Sequence, residues 1–333
     1  MTPAPGFAEL PGRIDALAAE HDQLGVVLLD AFGWAFVLRH ADHPFLKRLQ
    51  IEPLRSQFPS TTTAHLTTLY SGLPVTEHGL YEWRCFEPIV GEVIRPLRFA
   101  FADRDEPLPI PPAELFPWPS RCAGHTVLQP APIADTPYGS AAFAGATVVG
   151  FDTLAEGVQQ LRSTPGLTYL YWDEIDATGH REGPSSQAFV DASLRALDTL
   201  ATVTTPLLVT ADHGQLDVHV TDSLDLFWPE LPKHLTRPPA GSARDLFLHV
   251  DDPETVVGEL QRRLEHRAEV RLAAELFDHL GPRLRERLGD LCVLPAPGRM
   301  VGLTSSPSPE RRFKGHHGGL TPDESETWIG IQA

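Results

Sequence analysis

Three short runs of mainly apolar residues constrain the fold of this 333-residue chain more than any other feature of its sequence. They occupy residues 25–29, 167–172 and 206–210. Each run is continuous and does not alternate with polar residues, which is typical of a strand buried on both faces of a parallel sheet. The sequence therefore predicts an α/β fold in which a mostly parallel sheet lies between helices. Strands 26–29, 167–172 and 206–210 should be central neighbours in that sheet.

Aspartate and histidine residues follow these runs, at the points where the predicted strands end. A fourth cluster of this kind occurs late in the chain, and the clusters are Asp30, Asp176 with His180, Asp212 with His213, and His316 with His317. The carboxyl ends of parallel strands meet at one edge of a sheet, where α/β proteins bind ligands. Carboxylate oxygen and imidazole nitrogen are ligands that zinc accepts. One cluster alone is more often an ordinary loop, but four together predict a metal site.

Two of these clusters require a particular backbone. Asp176 and His180 are expected to flank a short turn, in which Gly179 lets both side chains reach one ion. Adjacent residues on a strand face opposite ways. Asp212 and His213 can therefore serve one ion only if the chain leaves the strand there, and Gly214 makes this plausible.

Three consecutive threonines, residues 61–63, precede a further helical segment. Pro59 ends the structure before them, because the residue preceding a proline avoids the helical region. The threonines are candidate N-caps for a helix that begins near Thr63. A hydroxyl at that point would lie at the positive end of the helix, where backbone N–H groups bind anions. Taken alone the pattern is typical of an ordinary capped helix, but it also suits a nucleophile in phosphoryl chemistry.

The composition limits the partners of the chain. Its formal net charge is −17, from 27 Lys and Arg against 44 Asp and Glu, and no basic run interleaves with aromatic residues. This argues against duplex nucleic acid or an anionic membrane surface as a partner, and no apolar run approaches a membrane span in length. Cys85, Cys122 and Cys292 are too sparse for a disulfide framework. Because the N-terminal residues show no signal-peptide pattern, we expect a cytoplasmic protein. The sequence does not indicate its oligomeric state.

The character of the sequence changes between residues 222 and 298. A strand-like run and two helical segments rich in arginine and glutamate lie there. We therefore predict that 222–298 is a small inserted αβ subdomain, and that residues 1–221 and 299–333 form the core domain. Residues 86–120 are rich in proline and show no clean periodicity, so irregular structure is expected.

Several motifs occur in one order along the chain and carry a resemblance to a known family. They are Asp30 after an apolar strand, Phe-Pro-Ser-Thr-Thr at 58–62 before a helix ending Thr-Leu-Tyr-Ser-Gly at 68–72, Asp176 and His180 before Gly-Pro, Thr-Ala-Asp-His-Gly at 210–214, and His-Gly-Gly-Leu-Thr-Pro-Asp-Glu at 317–324. In this order they resemble the alkaline phosphatase superfamily, most closely its type I phosphodiesterase/nucleotide pyrophosphatase family. The resemblance extends over residues 24–83, 167–218 and 313–324, and it says little about 84–150 and 222–298.

The resemblance implies a centre of two divalent metal ions. The residues that would hold one ion are Asp176, His180 and His317. Those that would hold the other are Asp30, Asp212 and His213, and Thr62 would bridge toward both. Zinc is expected in preference to manganese, because histidine supplies three of the six Asp and His ligands.

The same resemblance implies a threonine nucleophile. Counting back from Gly72 to the family's nucleophile position selects Thr62, and Thr61 is the reserve if this register is off by one. Attack by the hydroxyl would form a phosphothreonine, which is then hydrolysed. Pyrophosphatases of this family with a known nucleotide preference usually have an asparagine three positions after the nucleophile. This chain has His65 there, which is expected to bind substrate through a ring N–H.

The activity implied is that of a phosphodiesterase or nucleotide pyrophosphatase acting on a small molecule. A phosphomonoesterase or phosphonate hydrolase with the same centre is the alternative, and a non-catalytic binding protein on this scaffold is a third reading. A monoester site needs an extra cation for the second negative charge of its substrate. Arg181 is the only arginine beside a ligand motif, so the sequence favours diesters.

Overall fold

A computed structural model describes residues 5–304 and 309–333 of the chain, and its secondary structure within those ranges is as follows. The strands are β1 Gln23–Leu29, β2 Gln50–Arg55, β3 Cys85–Glu87, β4 Glu92–Arg95, β5 Ala100–Phe101, β6 Thr126–Pro130, β7 Thr147–Phe151, β8 Gly166–Trp172, β9 Leu207–Thr210, β10 Leu216–Asp217, β11 Val220–Ser223, β12 Ala240–Gly241, β13 Leu246–Leu248, β14 Ala268–Leu272, β15 Leu291–Pro295, β16 Arg299–Gly302, β17 Gly315–His316 and β18 Glu326–Gln332. The α-helices are α1 Leu10–Ala18, α2 Trp34–Arg39, α3 Thr62–Ser71, α4 Val75–His78, α5 Pro112–Leu115, α6 Ala131–Ala134, α7 Pro137–Ala142, α8 Leu154–Ser163, α9 Glu174–Glu182, α10 Gln187–Leu200, α11 Leu224–Phe227, α12 Leu231–His234, α13 Pro253–Leu264, α14 Pro282–Arg287 and α15 Pro322–Ser325.

A seven-stranded sheet with the order β2-β18-β9-β1-β8-β6-β7 forms the centre of the molecule. Strand β1 pairs in parallel with β8 on one side and β9 on the other, so Val26 lies opposite both Tyr169 and Leu208. Strand β18 is antiparallel to β9 and β2, and it closes the parallel part of the sheet. The prediction of a mostly parallel sheet with these three strands as central neighbours is confirmed.

The continuous apolar character of β1 has a simple cause in the packing. Val26 and Leu28 belong to the hydrophobic cluster on one face of the sheet. Val27 and Leu29 belong to the cluster on the opposite face. Because successive side chains of a strand point to opposite faces, a strand covered on both sides has to be apolar throughout.

Helices cover both faces of this sheet. Helices α1 and α3 contribute Ile14 and Leu69 to the first cluster. Helices α2, α8 and α10 contribute Phe36, Leu161 and Leu197 to the second. Helix α10, the longest within the described ranges, has 14 residues, and no helix there combines the length and apolarity that a bilayer span requires. The result is a three-layer arrangement of helices, sheet and helices.

A second sheet, with the order β12-β13-β15-β14, is antiparallel and lies within residues 240–295. Helix α13 packs against it through Val256 and Leu260, which form a separate hydrophobic cluster with strand residues. Strands β11 and β16, which flank this part of the chain, pair with each other in parallel. A pairing of this kind brings the two ends of a segment together, as an insertion requires. The boundaries 222–298, and the core of 1–221 with 299–333, stay predictions.

The proline-rich stretch contains more regular structure than expected. Strands β3, β4 and β5 form a small antiparallel sheet over residues 85–101. The expectation of irregular structure from residue 86 onward is therefore wrong for its first part. The three strands are only two to four residues long, too short to show an alternating pattern in the sequence.

Candidate metal centre

The aspartates predicted at strand ends lie at one edge of the large sheet. Asp30 directly follows β1, and its backbone N–H donates to the carbonyl oxygen of Trp172 at the end of β8. Asp212 lies two residues beyond β9, the neighbour of β1 on the other side. Parallel pairing therefore places these two carboxylates on adjacent strands at the same end of the sheet.

Asp176 and His180 lie on α9 and not in a turn, so the expected turn around Gly179 is wrong. One helical turn separates them, and their spacing places both side chains on the same face. The Nε2 atom of His180 lies 3.3 Å from Oδ1 of Asp176. Gly179 packs closely against Gln215, whose amide donates to Asp176, and a Cβ at this position would displace that side chain.

The three predicted histidine ligands are all oriented in the same way. In each, Nδ1 lies 2.8 to 3.0 Å from a backbone carbonyl oxygen. The pairs are His180 with Gly315, His213 with Gly214, and His317 with Ser60. A carbonyl oxygen only accepts, so Nδ1 carries a proton, and Nε2 is the atom through which each ring can bind a metal ion. At metal sites, a hydrogen bond from the ring nitrogen that does not bind the ion orients the histidine in this way.

The three Nε2 atoms point into a group of carboxylates. Oδ1 of Asp176 lies 3.3 Å from Nε2 of His180 and 3.6 Å from Nε2 of His317. Nε2 of His213 lies 3.4 Å from Oδ1 of Asp30 and from Oδ2 of Asp212. Two sets of ligand atoms lie mutually within 4.8 Å, and they are Asp176, His180 and His317, and Asp30, Asp176 and His213. The first set equals the predicted one. In the second, Asp176 takes the place expected for Asp212.

Asp212 nevertheless lies at the same centre and is fully buried. Its Oδ1 accepts from the backbone N–H groups of Ala31, at 3.2 Å, and His213, at 3.0 Å. Its Oδ2 has no hydrogen-bond partner within the described part of the chain, although it is buried. A buried charged oxygen without a partner is costly, and a cation beside it removes that cost. Ala31 adopts a left-handed backbone with φ of 63°, which is uncommon for a residue other than glycine and typical of functional sites.

The electrostatics of the cluster also favour a cation. Burial raises the pKa of Asp30, and the neighbouring charges of Asp212 and Asp176 raise it further. Burial lowers the pKa of His317 well below its usual value, with His213 adding to this effect, so the ring stays neutral. A bound divalent cation would reverse the penalty on the carboxylates. The oxygen and imidazole donors therefore fit divalent metal ions.

Thr62 is the threonine that faces this centre. It is the first residue of α3, and its Oγ1 lies 3.3 Å from Oδ2 of Asp30 and 3.2 Å from Nε2 of His213. The hydroxyl of Thr61 instead donates to the carbonyl oxygen of Tyr81, at 3.0 Å. Thr61 occupies the N-cap position but forms no side-chain cap, so the hydroxyl cap expected from the sequence is not formed.

The prediction that His65 binds substrate is not supported by the structure. The residue is fully buried in α3, and it is absent from the residues that line the cavity at the centre. Its Nδ1 lies 2.7 Å from the carbonyl oxygen of Thr61, and its Nε2 accepts from the backbone N–H of Gln57, at 2.8 Å. Burial lowers its pKa to about 3, so the ring is neutral. His65 holds the segment before α3 in place.

Replacing His65 with alanine is expected to lower stability and to leave catalysis unchanged. The substitution leaves the Gln57 N–H without its acceptor, which costs about 1–3 kcal/mol in the free energy of unfolding. Urea denaturation of the variant measures this loss, and kcat/KM should change by less than about twofold. The control is His266→Ala, since the side chain of His266 is 76% exposed. A large loss of activity at unchanged stability would instead mean that His65 contacts substrate.

A cavity of about 490 Å³ opens from Asp30, Thr62 and Asp176, and it is also lined by residues outside the predicted site. Among them are Tyr171, whose hydroxyl donates to Asp30, and Glu82. Burial and the nearby Glu310 raise the pKa of Glu82 to about 8. Neither residue is part of the Asp and His clusters or of the threonine run, so its place at the centre is seen only in the folded chain.

Three arginines also line the cavity, and they are Arg84, Arg95 and Arg98. Arg84 pairs with Glu310 at 3.2 Å, and Arg95 with Asp105 at 2.9 Å. Arg98 is exposed and has no charged or hydrogen-bonding partner within the described ranges.

The two basic residues that lie close in sequence to the predicted ligands His180 and His317 point elsewhere. Arg181 donates to Thr178, and Lys314 pairs with Glu182 at 2.9 Å. Neither is among the described residues that line the cavity. Proximity in sequence to a ligand thus did not identify the cations near the centre.

Solved structures of two kinds resemble this fold across most of its length. An inactive threonine-to-alanine variant of murine ectonucleotide pyrophosphatase/phosphodiesterase 5 in complex with AMP has a TM-score of 0.64 at 18% identity, covering 93% of this chain and 88% of that one. The human protein has a TM-score of 0.65 at 17% identity, covering 92% and 87%. Phosphonoacetate hydrolase from Sinorhizobium meliloti 1021, in complex with phosphonoformate, has a TM-score of 0.65 at 18% identity, covering 93% and 89%.

No curated protein sequence matches this chain at a significant level. The sequence model described as type I phosphodiesterase/nucleotide pyrophosphatase matches residues 24–98 and 144–320, which is most of the chain. The matched ranges contain every predicted metal ligand and Thr62. The chain therefore belongs to the type I phosphodiesterase/nucleotide pyrophosphatase family, phosphoester hydrolases of the alkaline phosphatase superfamily.

Proposed function

We propose that the protein hydrolyses phosphodiesters or nucleotide anhydrides, with Thr62 as the nucleophile and two divalent metal ions. The observation on which this rests is the position of the Thr62 hydroxyl. It lies at the start of α3, within 3.3 Å of Asp30 and 3.2 Å of His213. A hydroxyl between a helix N-terminus and a set of carboxylate and imidazole ligands is placed as a nucleophile requires, whereas a purely structural hydroxyl does not need this position.

The ligands would divide into two sets. Asp176, His180 and His317 would hold one ion. Asp30, Asp212 and His213 would hold the other, and the unpartnered Oδ2 of Asp212 supports its place in this set. When bound, such ions lower the pKa of a nearby hydroxyl and neutralise charge that develops on the phosphoryl group. Zinc in preference to manganese remains part of the proposal, because half of the Asp and His donors are imidazoles.

The protein itself contributes the nucleophile and its surroundings. Oγ1 of Thr62 would form the new bond to phosphorus as the bond to the leaving ester oxygen breaks, giving a phosphothreonine that water hydrolyses. The first N–H groups of α3 receive no side-chain cap from Thr61, so they are available to the phosphoryl oxygens. The carbonyl bonds to Nδ1 of the histidines keep the donor atoms oriented throughout.

Two of the similar structures support this assignment. The murine protein is inactive when a threonine is replaced by alanine, and it is in complex with AMP. The bacterial phosphonoacetate hydrolase is in complex with phosphonoformate. A small phosphorus-containing substrate for this chain agrees with both. A cytoplasmic site of action is also proposed, supported by the three buried cysteines without a disulfide.

A preference for diesters over monoesters follows from the charges at the centre. Three carboxylates, those of Asp30, Asp176 and Asp212, already lie around the predicted ions. A dianionic monoester adds one more negative charge than a monoanionic diester does. The alternative, a phosphomonoesterase or phosphonate hydrolase, is favoured by one observation, namely the exposed guanidinium of Arg98 at the cavity wall.

A comparison of para-nitrophenyl phenyl phosphate with para-nitrophenyl phosphate separates these two functions. We expect kcat/KM to be higher for the diester by roughly tenfold or more. The Arg98→Gln variant should leave this ratio unchanged, as should the control Arg104→Gln, which alters an arginine paired with Glu92. A tenfold advantage of the monoester that Arg98→Gln abolishes would establish the alternative function.

A further inference from the structure

The cavity at the metal centre has a second, apolar part of its wall. Helix α3 contributes Leu66 and Tyr70 to it, and three further residues come from the segment between β5 and β7. These three are Ile133, Tyr138 and Phe143. They lie between the two ranges that the family model matches, 24–98 and 144–320. This part of the wall is therefore a property of this chain and is not implied by its family membership.

The polar atoms in this part of the wall already have partners within the protein. The hydroxyl of Tyr138 lies 3.0 Å from Oγ1 of Thr67, and that of Tyr70 accepts from the amide of Gln129, at 3.4 Å. The hydroxyl of Thr136 caps α7. A site built to hydrogen-bond a sugar or a base would present free donors and acceptors. Here the tyrosines offer mainly their rings.

The aromatic residues also hold one another in place. The rings of Tyr70 and Phe143 form an edge-to-face pair with centroids 4.8 Å apart. Both side chains are buried, at 1% and 7% exposure, so their positions are set by the core and not by a ligand. Such a rigid apolar surface binds an apolar group at little cost in ordering.

We infer that this surface is a subsite for an apolar ester group of the substrate, an aryl or medium-length alkyl group, in preference to a nucleoside. The inference rests on the proposed phosphodiesterase function and narrows its substrate class. The phosphoryl group would lie at Thr62, and the ester group that is not cleaved would lie against Ile133, Tyr138 and Phe143. Each additional buried methylene should raise the affinity roughly fourfold until the subsite is full.

A series of diesters with one common leaving group tests this directly. Each substrate is a para-nitrophenyl ester, and the second ester group is methyl, butyl, phenyl, carboxypropyl or thymidine. We expect kcat/KM to rise by about tenfold or more from methyl to phenyl, and to be lower for thymidine and carboxypropyl than for phenyl and butyl. Equal values across the series, or a preference for thymidine or the carboxylate, would overturn the inference.

Substitutions on the wall locate the effect. Leu97 also lines the cavity, and it and Ile133 are only partly buried. The variants Ile133→Asn and Leu97→Asn should therefore fold, and each should lower the phenyl-to-methyl ratio about fivefold. The matched control is Leu226→Asn, because Leu226 is 72% exposed and does not line the cavity. An unchanged ratio in both wall variants would place the preference elsewhere and refute the assignment of this surface.

Binding of non-hydrolysable ligands separates this inference from the proposed function. Phenylphosphonate should bind the metal-loaded protein about tenfold more tightly than methylphosphonate by calorimetry. Equal affinities would refute the apolar subsite even if diesters are hydrolysed. If phenylphosphonate binds more tightly but no ester is hydrolysed, the subsite stands and the hydrolytic function fails.

Discussion

Replacing Thr62 with alanine is expected to reduce kcat/KM for an aryl phosphodiester by a factor on the order of 10³ or more. The methyl group of alanine cannot attack phosphorus, whereas the six Asp and His donors remain in place. The variant should therefore still bind both metal ions, as measured by elemental analysis of dialysed protein. Thr62→Ser keeps the hydroxyl and should retain part of the activity.

Thr61→Ala is the matched control for this experiment. It removes a hydroxyl one residue away, but that hydroxyl bonds to the carbonyl oxygen of Tyr81 and does not face the centre. We expect a loss of about 1 kcal/mol in stability and nearly full activity. The reverse result, an inactive Thr61→Ala and an active Thr62→Ala, would move the nucleophile by one position. Full activity in both would exclude a covalent threonine intermediate.

Replacing a predicted metal ligand should also lower kcat/KM strongly, in this case because a metal ion is lost. His317→Ala deletes an imidazole whose Nε2 faces Asp176, and Asp212→Ala deletes the carboxylate with the unpartnered oxygen. Each variant should lose at least one ion per chain and at least about a hundredfold in kcat/KM. Elemental analysis and turnover are measured after chelation and after return of Zn²⁺ or Mn²⁺.

The control for the ligand variants is His279→Ala, since the side chain of His279 is 57% exposed and pairs with Glu77 at the surface. It should keep both ions and full activity. If turnover of the wild-type protein is insensitive to chelation and no transition metal is found in it, the metal-dependent mechanism is wrong. A variant that loses activity while keeping both ions would mean that the substituted residue acts in another way.

The sequence was sufficient for the central sheet and for the edge at which the polar residues meet. The reason is that β1 and its neighbours are buried on both faces, which forces a continuous apolar run that few other structures produce. Asp30 and Asp212 could then be placed, because the position of a strand end follows from the strand. Local conformation after the strand was less predictable. Asp176 and His180 lie on a helix although Gly179, a poor helix former, stands between them, and close packing against Gln215 accounts for that glycine.

The rest of the cavity could not be predicted, because it depends on which distant segments meet. Arg98 and Ile133 are far in sequence from every ligand motif, yet both line the same space as Thr62. The burial of His65 could not be predicted for a related reason. Its position three residues after Thr62 suggested a contact with substrate. The orientation of a helical side chain is set by tertiary packing, however, and the His65 ring packs against the ring of Phe7, with the two ring centroids 4.6 Å apart.

The place of β18 in the sheet has a consequence for how the chain is synthesised. This strand lies between β9 and β2, and its Trp328 is fully buried, yet it is the last strand along the sequence. On the ribosome, β9 therefore keeps an unpaired edge, and β2 is not joined to the central sheet, until translation has nearly reached the end of this sequence. His317 also emerges only shortly before β18. A nascent chain can thus assemble neither its complete sheet nor its full set of metal ligands early, and it depends on late, long-range pairing to protect an exposed strand edge.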